Sequence, residues 1–221
     1  MRRFDFEDSE RFPTEMPRDW YRLLSQVSRR PGYPDFGSIA LTDAIARDGR
    51  WSLEFVVDGG SMAEALPPGI VRIFQGSRYR ISAWIRTEGV QRAAARVVAR
   101  LYDKNGQPTG DEWASEPIRS ELEWTQVRIE LAEIPLDAFD IGLELEVVQP
   151  SLLGLEGPGG RPIGDDVRGR VWFDDLEIWQ VPSIRFSSGR DAQIFGTDET
   201  PELEIELRDL VSDELAAEIV V

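Results

Sequence analysis

Cysteine and histidine are both missing from the 221 residues, and lysine occurs once, at Lys104. Without cysteine there can be no disulfide, no thiolate nucleophile and no cysteine-bound zinc. Without histidine the commonest general base and the commonest transition-metal ligand are gone. Carboxylates are the strong acid-base or metal-binding groups that remain, which favours oxygen-loving calcium over zinc, and binding over catalysis. No apolar run approaches the roughly 18 residues of a membrane span, so no membrane insertion is expected. Met1-Arg2-Arg3 leads straight into FDFEDSE, with no visible signal peptide. Positive charge is scarce: 25 basic residues face 41 acidic ones, a net charge of -16. That balance argues against nucleic acid or an anionic membrane as partner.

What is present is β pattern. Hydrophobic residues make up 41% and charged residues 30%, a globular balance with enough apolar material for a sizeable core. FDFED, residues 4–8, alternates like an edge strand. Arg11 to Arg30 fits a short helix or a single strand, bracketed by Pro13, Pro17 and Pro31. Ser38 to Leu41 reads as a brief strand. Trp51, Leu53, Phe55 and Val57 alternate with more polar neighbours after the Asp48-Gly49-Arg50 turn. Gly59-Gly60 to Pro67-Pro68 reads as a loop, and Val71 and Ile73 begin another strand. Tyr79, Ile81, Ala83 and Ile85 repeat the alternation. Val97, Ala99 and Leu101 do the same ahead of a Lys104-Asn105-Gly106 turn, and so do 124–131 and 141–148. Many short strands set off by turns predict an all-β fold, an antiparallel β-sandwich.

Residues 149–168 form a long Gly- and Pro-rich connection; Leu152, Leu153 and Leu155 in it are expected to tuck onto the sandwich. Beyond Pro182 the character changes. Residues 183–221 hold 10 acidic and 3 basic residues and end inside the apolar run Ile219-Val220-Val221. The expected division is one module over 4–182, then a linker and the truncated start of a second β-domain over 183–221, with further domains of the same polypeptide as neighbours.

The stretch around which the rest of the chain is expected to pack is RGRVWFDDLEIWQV, residues 168–181, where apolar residues crowd a paired Asp174-Asp175. Its Asp174-Asp175 pair is costly among apolar neighbours unless paired, hydrogen-bonded or bound to a cation. In a regular strand the two carboxylates point to opposite faces, so they are not the flanking pair that glycoside hydrolysis needs. No Gly-x-Ser-x-Gly elbow or phosphate-binding glycine loop occurs either. No catalytic residue is assigned and no enzyme is expected.

Phe6-Glu7, Trp20, Asp48-Gly49 before Trp51-Ser52-Leu53, residues 76–85 (GSRYRISAWI), Trp124 and Phe173-Asp174-Asp175-Leu176 occur in a telling order. In order and spacing they resemble carbohydrate-binding modules with a galactose-binding-like jelly roll, over roughly residues 4 to 181. The resemblance implies a two-sheet jelly roll, a sugar site on a sheet face or in loops, a structural calcium ion near the chain ends, and an extracellular or cell-surface setting. By motif match, Glu7, Asp48, Asp174 and Asp175 are the calcium-linked positions; the alternative has these acids capping turns or pairing with Arg168 or Arg170. Period two turns Trp84 and Arg86 outward on one strand, Arg100 and Tyr102 on another, and Glu144 on a third. These five are the candidate site for a polysaccharide or glycan, because sugars stack on aromatic rings amid planar hydrogen-bonding groups. Two alternatives stand beside it: cross-strand Arg–Glu pairs on a solvated face, and a structural or protein-interaction sandwich without sugar binding.

Overall fold

A computed structural model describes residues 1–7, 17–23, 37–58, 61–91, 93–148, 168–187 and 204–208. Thirteen strands run in chain order: β1 (Arg2–Phe4), β2 (Tyr21–Arg22), β3 (Gly37–Thr42), β4 (Ser52–Asp58), β5 (Met62–Arg72), β6 (Arg78–Glu88), β7 (Ala94–Tyr102), β8 (Pro108–Ala114), β9 (Thr125–Leu131), β10 (Asp140–Val148), β11 (Arg168–Val181), β12 (Ser183–Ser187) and β13 (Glu204–Arg208). A first sheet has the order β3-β4-β11-β6-β9, with β1 added to β11; a second has the order β2-β5-β10-β7-β8. All pairings within them are antiparallel. β12 and β13 pair with each other.

The two sheets meet through the residues that alternation marks. Trp51, Phe55, Tyr79, Ile81, Leu101, Ile129, Leu143, Leu145 and Phe173 are all buried in one continuous core. Each fully buried side chain of this size contributes roughly 1.5–3 kcal/mol relative to exposure. Phe55 and Phe173 meet across β4 and β11 with ring centroids 5.1 Å apart. The sequence therefore forms the expected antiparallel sandwich.

Three local readings change, and one strand, β8, is added to them. The stretch read as a loop ending at Pro67-Pro68 belongs to β5. Its pairing with β10 jumps from Leu66↔Leu143 to Val71↔Ile141, so residues 67–70 bulge out opposite Gly142 alone. Prolines fit there because β2 pairs only with Glu64 and Ala65, leaving no partner for the donors they lack. β8 carries no apolar alternation; as a polar edge strand it gives no periodic signal. The N-terminal strand is Arg2–Phe4 rather than FDFED, and the helix alternative near Trp20 gives way to the short β2. The expectations for 149–167, for the rest of Arg11–Arg30 and for the last apolar run fall outside the described residues.

β11 holds the first sheet together, with β4 and then β1 along one side and β6 along the other. Its pairing with β6 is irregular between Asp174↔Trp84 and Glu177↔Ser82: Asp175 and Leu176 oppose Ala83 alone, a bulge with Asp175 at φ 46°. The apolar face changes phase across it. Val171 and Phe173 face the core before the bulge, Leu176 and Ile178 after it. Asp is one of the few residues that tolerates this left-handed backbone.

Candidate functional site

The bulge corrects the expectation that Asp174 and Asp175 diverge. Both carboxylates turn to the loop after β3. The Arg47 N–H donates to Asp174 Oδ2 at 2.8 Å, and Arg47 Nη1 donates to Asp175 Oδ2 at 2.7 Å. Arg3 Nη2, on β1, donates to the other oxygen of Asp175 and lies 3.6 Å from Asp48 Oδ2. The Arg50 and Trp51 N–H groups both donate to Glu7 Oε1 at 2.7 Å. Asp48, Asp174 and Asp175 thus come together at the bulge in the middle of β11 through Arg3 and Arg47, while Glu7 caps the turn that leads into Trp51. The cations among them are Arg3 and Arg47, not Arg168 and Arg170, which pair with Asp58 and Glu54. Burial pushes the Asp174 carboxyl up to about 7. Burial raises Asp175 too, but the Arg3 and Arg47 hydrogen bonds and charges outweigh it and hold the group below its ordinary value. Guanidinium groups and backbone donors already engage these oxygens, and among the described residues no three acids are grouped to hold a metal ion. Calcium would call for six to eight oxygen ligands at such a joint.

The five candidate sugar residues do not share a face. Trp84 and Arg86 lie on β6 of the first sheet; Arg100, Tyr102 and Glu144 lie on β7 and β10 of the second. Alternation along a strand tells which residues point out of a sheet, not which sheet they belong to. On the outer side of the second sheet, Arg100 is held between Glu144 (3.0 Å) and Glu112, and Arg96 by Glu146 (2.7 Å). Glu144 and Glu146 are buried, so this face follows the ion-paired alternative. Tyr102 lies over Gly142, where a Cβ would meet its ring at 2.7 Å.

The outer side of the first sheet is different. Pairing lays out its rows: Glu54–Trp172–Arg86, then Asp174–Trp84–Gln126, then Glu177–Ser82–Arg128, then Trp179–Arg80–Glu130. Trp172 is buried with no partner for its Nε1 among the described residues, and Trp84 is half-buried under the Arg47 guanidinium, 4.3 Å from its ring centroid. Trp179 is 43% exposed. It walls a shallow cleft with Arg80, Ser82, Gln126, Arg128, Glu177 and Gln180. Its Nε1 donates to Glu177 Oε2 at 3.0 Å, which fixes the ring, and Arg128 Nη2 donates to Gln126 Oε1 at 2.7 Å. Alternation alone misses Trp179, because the odd residues after Asp175 take the outward face only once the bulge is known.

No family model and no curated protein sequence matches the chain. Solved structures do. The enzymatically active domain of tailspike protein 4 of bacteriophage CBA120 superposes with a TM-score of 0.52 at 10% identity, over 74% of this chain and 20% of that one. An arabinose-bound α-L-arabinofuranosidase gives 0.50 at 13% identity, over 77% of this chain and 25% of that one. The likeness is one of fold. This chain spans about a fifth and a quarter of those two proteins. Carbohydrate-binding modules also occur among the similar structures; the CBM22-1 xylan-binding domain from Paenibacillus barcinonensis gives 0.49 at 12% identity, over 81% of this chain and 92% of that one.

Proposed function

We propose that the chain is a carbohydrate-binding module that holds a polysaccharide or glycan, without cleaving it, in the cleft beside Trp179. The observation that carries this reading is the exposed indole itself, held in place by Glu177 and ringed by Gln126, Arg128, Arg80 and Gln180. A pyranose offers an apolar face to an aromatic ring and a rim of hydroxyls to planar amide, guanidinium and carboxylate groups. The resemblance of the sequence pattern to carbohydrate-binding jelly rolls points the same way. A protein-interaction sandwich would call for a broader apolar patch than one tryptophan among charged side chains.

The test is a glycan-array screen of the purified chain, followed by calorimetry on the best polysaccharide. Trp179→Ala is expected to weaken binding by about tenfold or more, as loss of a central aromatic contact does, with the melting temperature nearly unchanged. Tyr102→Ala, on the other sheet, is expected to bind like the parent protein. Retention of no glycan at all, or full binding by Trp179→Ala, would sink the reading.

We propose further that the Arg3 and Arg47 guanidinium groups, rather than calcium, hold the Asp174-Asp175 joint. The melting temperature is therefore expected to be equal in calcium and in chelator; a rise with calcium, which binding to the folded form alone would produce, would restore the ion.

A further inference from the structure

The charges on the two outer faces are arranged differently. On the second sheet Arg96 and Arg100 are each matched to glutamates on adjoining strands, and Arg72, at the end of β5, is the outward arginine left without a carboxylate among the described residues. On the first sheet Arg80 and Arg170 are matched, to Glu130 and Glu54. Arg78, Arg86 and Arg128, which point outward from β6 and β9, have no carboxylate within ion-pair distance among the described residues. Arg86 Nε is buried without an acceptor among the described residues, its guanidinium 5.8 Å from the Trp172 ring centroid. Arg128 is exposed in the Trp179 cleft, with one hydrogen bond, to the neutral amide of Gln126. In a chain with 41 acids and 25 bases, unmatched guanidinium groups on one face run against the composition.

From this we infer that the ligand is an acidic polysaccharide, one whose sugar units carry carboxylates. The inference rests on the sugar-binding reading above and adds the class of sugar. Arg128 supplies the recognition: a guanidinium presents a planar fork of donors that fits a carboxylate in two parallel hydrogen bonds, stronger than those it makes with a hydroxyl. Trp179 stacks on the ring of the same or the adjoining unit. Arg86 lies four residues from Ser82, the residue beside Arg128, so the two guanidinium-bearing positions are separated by roughly 13 Å along the strand, a span that a chain of several sugars crosses. The overall negative charge of the protein does not prevent this, because at physiological salt charges are screened beyond about 8 Å whereas the Arg128 contact is direct.

The test measures the full chain by calorimetry against polygalacturonate and alginate, each beside its methyl ester, with neutral β-1,4-galactan and xylan as comparators. One of the two acids is expected to bind at least about tenfold tighter than its ester, the worth of one charge-assisted contact. Arg128→Gln is expected to bring the acid down to the level of the ester and to leave the ester unchanged, whereas Trp179→Ala weakens both. Arg128 is exposed, so a melting temperature within about 2 °C of the parent is expected and shows that the variant is folded. Equal binding of acid and ester, a preference that survives in Arg128→Gln, or binding to the neutral polymers alone overturns the inference while sugar binding stands. Failure to bind any of the six polymers, together with an empty glycan array, overturns both.

Discussion

Replacing Asp175 by asparagine is expected to lower the melting temperature by roughly 5–10 °C, from a loss of about 2–3 kcal/mol in a domain of this size. Asp175 is 4% exposed and accepts from both Arg3 and Arg47. Its side chain adds an ionic link between β11 and both β1 and the loop after β3, beside the β1–β11 ladder and the Arg47 N–H to Asp174 bond. Breaking a buried pair costs more than it contributed, because its partner charges stay behind; here both arginines are over a third exposed, so water takes up part of that cost and the figure is set below the buried-pair range. Asparagine keeps the left-handed backbone at φ 46° within reach, so the variant isolates the charge. Asp175→Ala is expected to lose about 1 kcal/mol more from backbone strain. Thermal unfolding of the two variants beside the parent checks both steps, and an unchanged melting temperature in Asp175→Asn would show that the joint contributes nothing to stability.

Glu64 is expected to make the protein less stable as the pH rises. On β5 it sits between Met62 and Leu66 on the core side, fully buried, and among the described residues neither carboxylate oxygen has a hydrogen-bond partner. Burial pushes its pKa up to about 8 from 4.5; Arg22, its register partner on β2, pulls the other way. The folded protein therefore binds a proton that the unfolded chain releases near pH 4.5. A raised folded pKa gives a contribution that is whole below the unfolded value and is lost as pH climbs through the folded one, between about 4.5 and 8. Each unit of separation is worth about 1.4 kcal/mol, so the span amounts to a few kcal/mol. Glu64→Met, of similar length and apolar, is expected to melt higher than the parent at pH 8, with the gap closing toward pH 5. Melting curves across that range decide it: a gap that stays constant with pH would rule out titration of Glu64.

Much of the sandwich is written in local pattern. Period-two alternation at Tyr79–Ile85, Val97–Leu101 and Ile141–Val147 identifies the strands and their buried sides, since burial of one face is what selects alternation. Even the bulge leaves a trace: the apolar residues shift from odd to even positions between Phe173 and Leu176, across the two aspartates.

What alternation does not carry is the identity of the neighbour. Arg3 meets Asp175 across 172 positions and Arg47 meets it across 128; no spacing rule links such pairs, because strand order is set by the packing of whole sheets. The same limit divides the candidate site. Trp84 and Tyr102 both point outward, as their own strands dictate, but out of different sheets. Composition and periodicity by themselves determined an acidic, all-β chain, which residues form its core, and that the Asp174-Asp175 pair needed partners. Only the tertiary structure decided that those partners are arginines, that one outer face is closed by matched charges, and that the other keeps Trp179 and Arg128 open, because sheet assignment and cross-strand pairing arise from contacts between residues far apart in the chain.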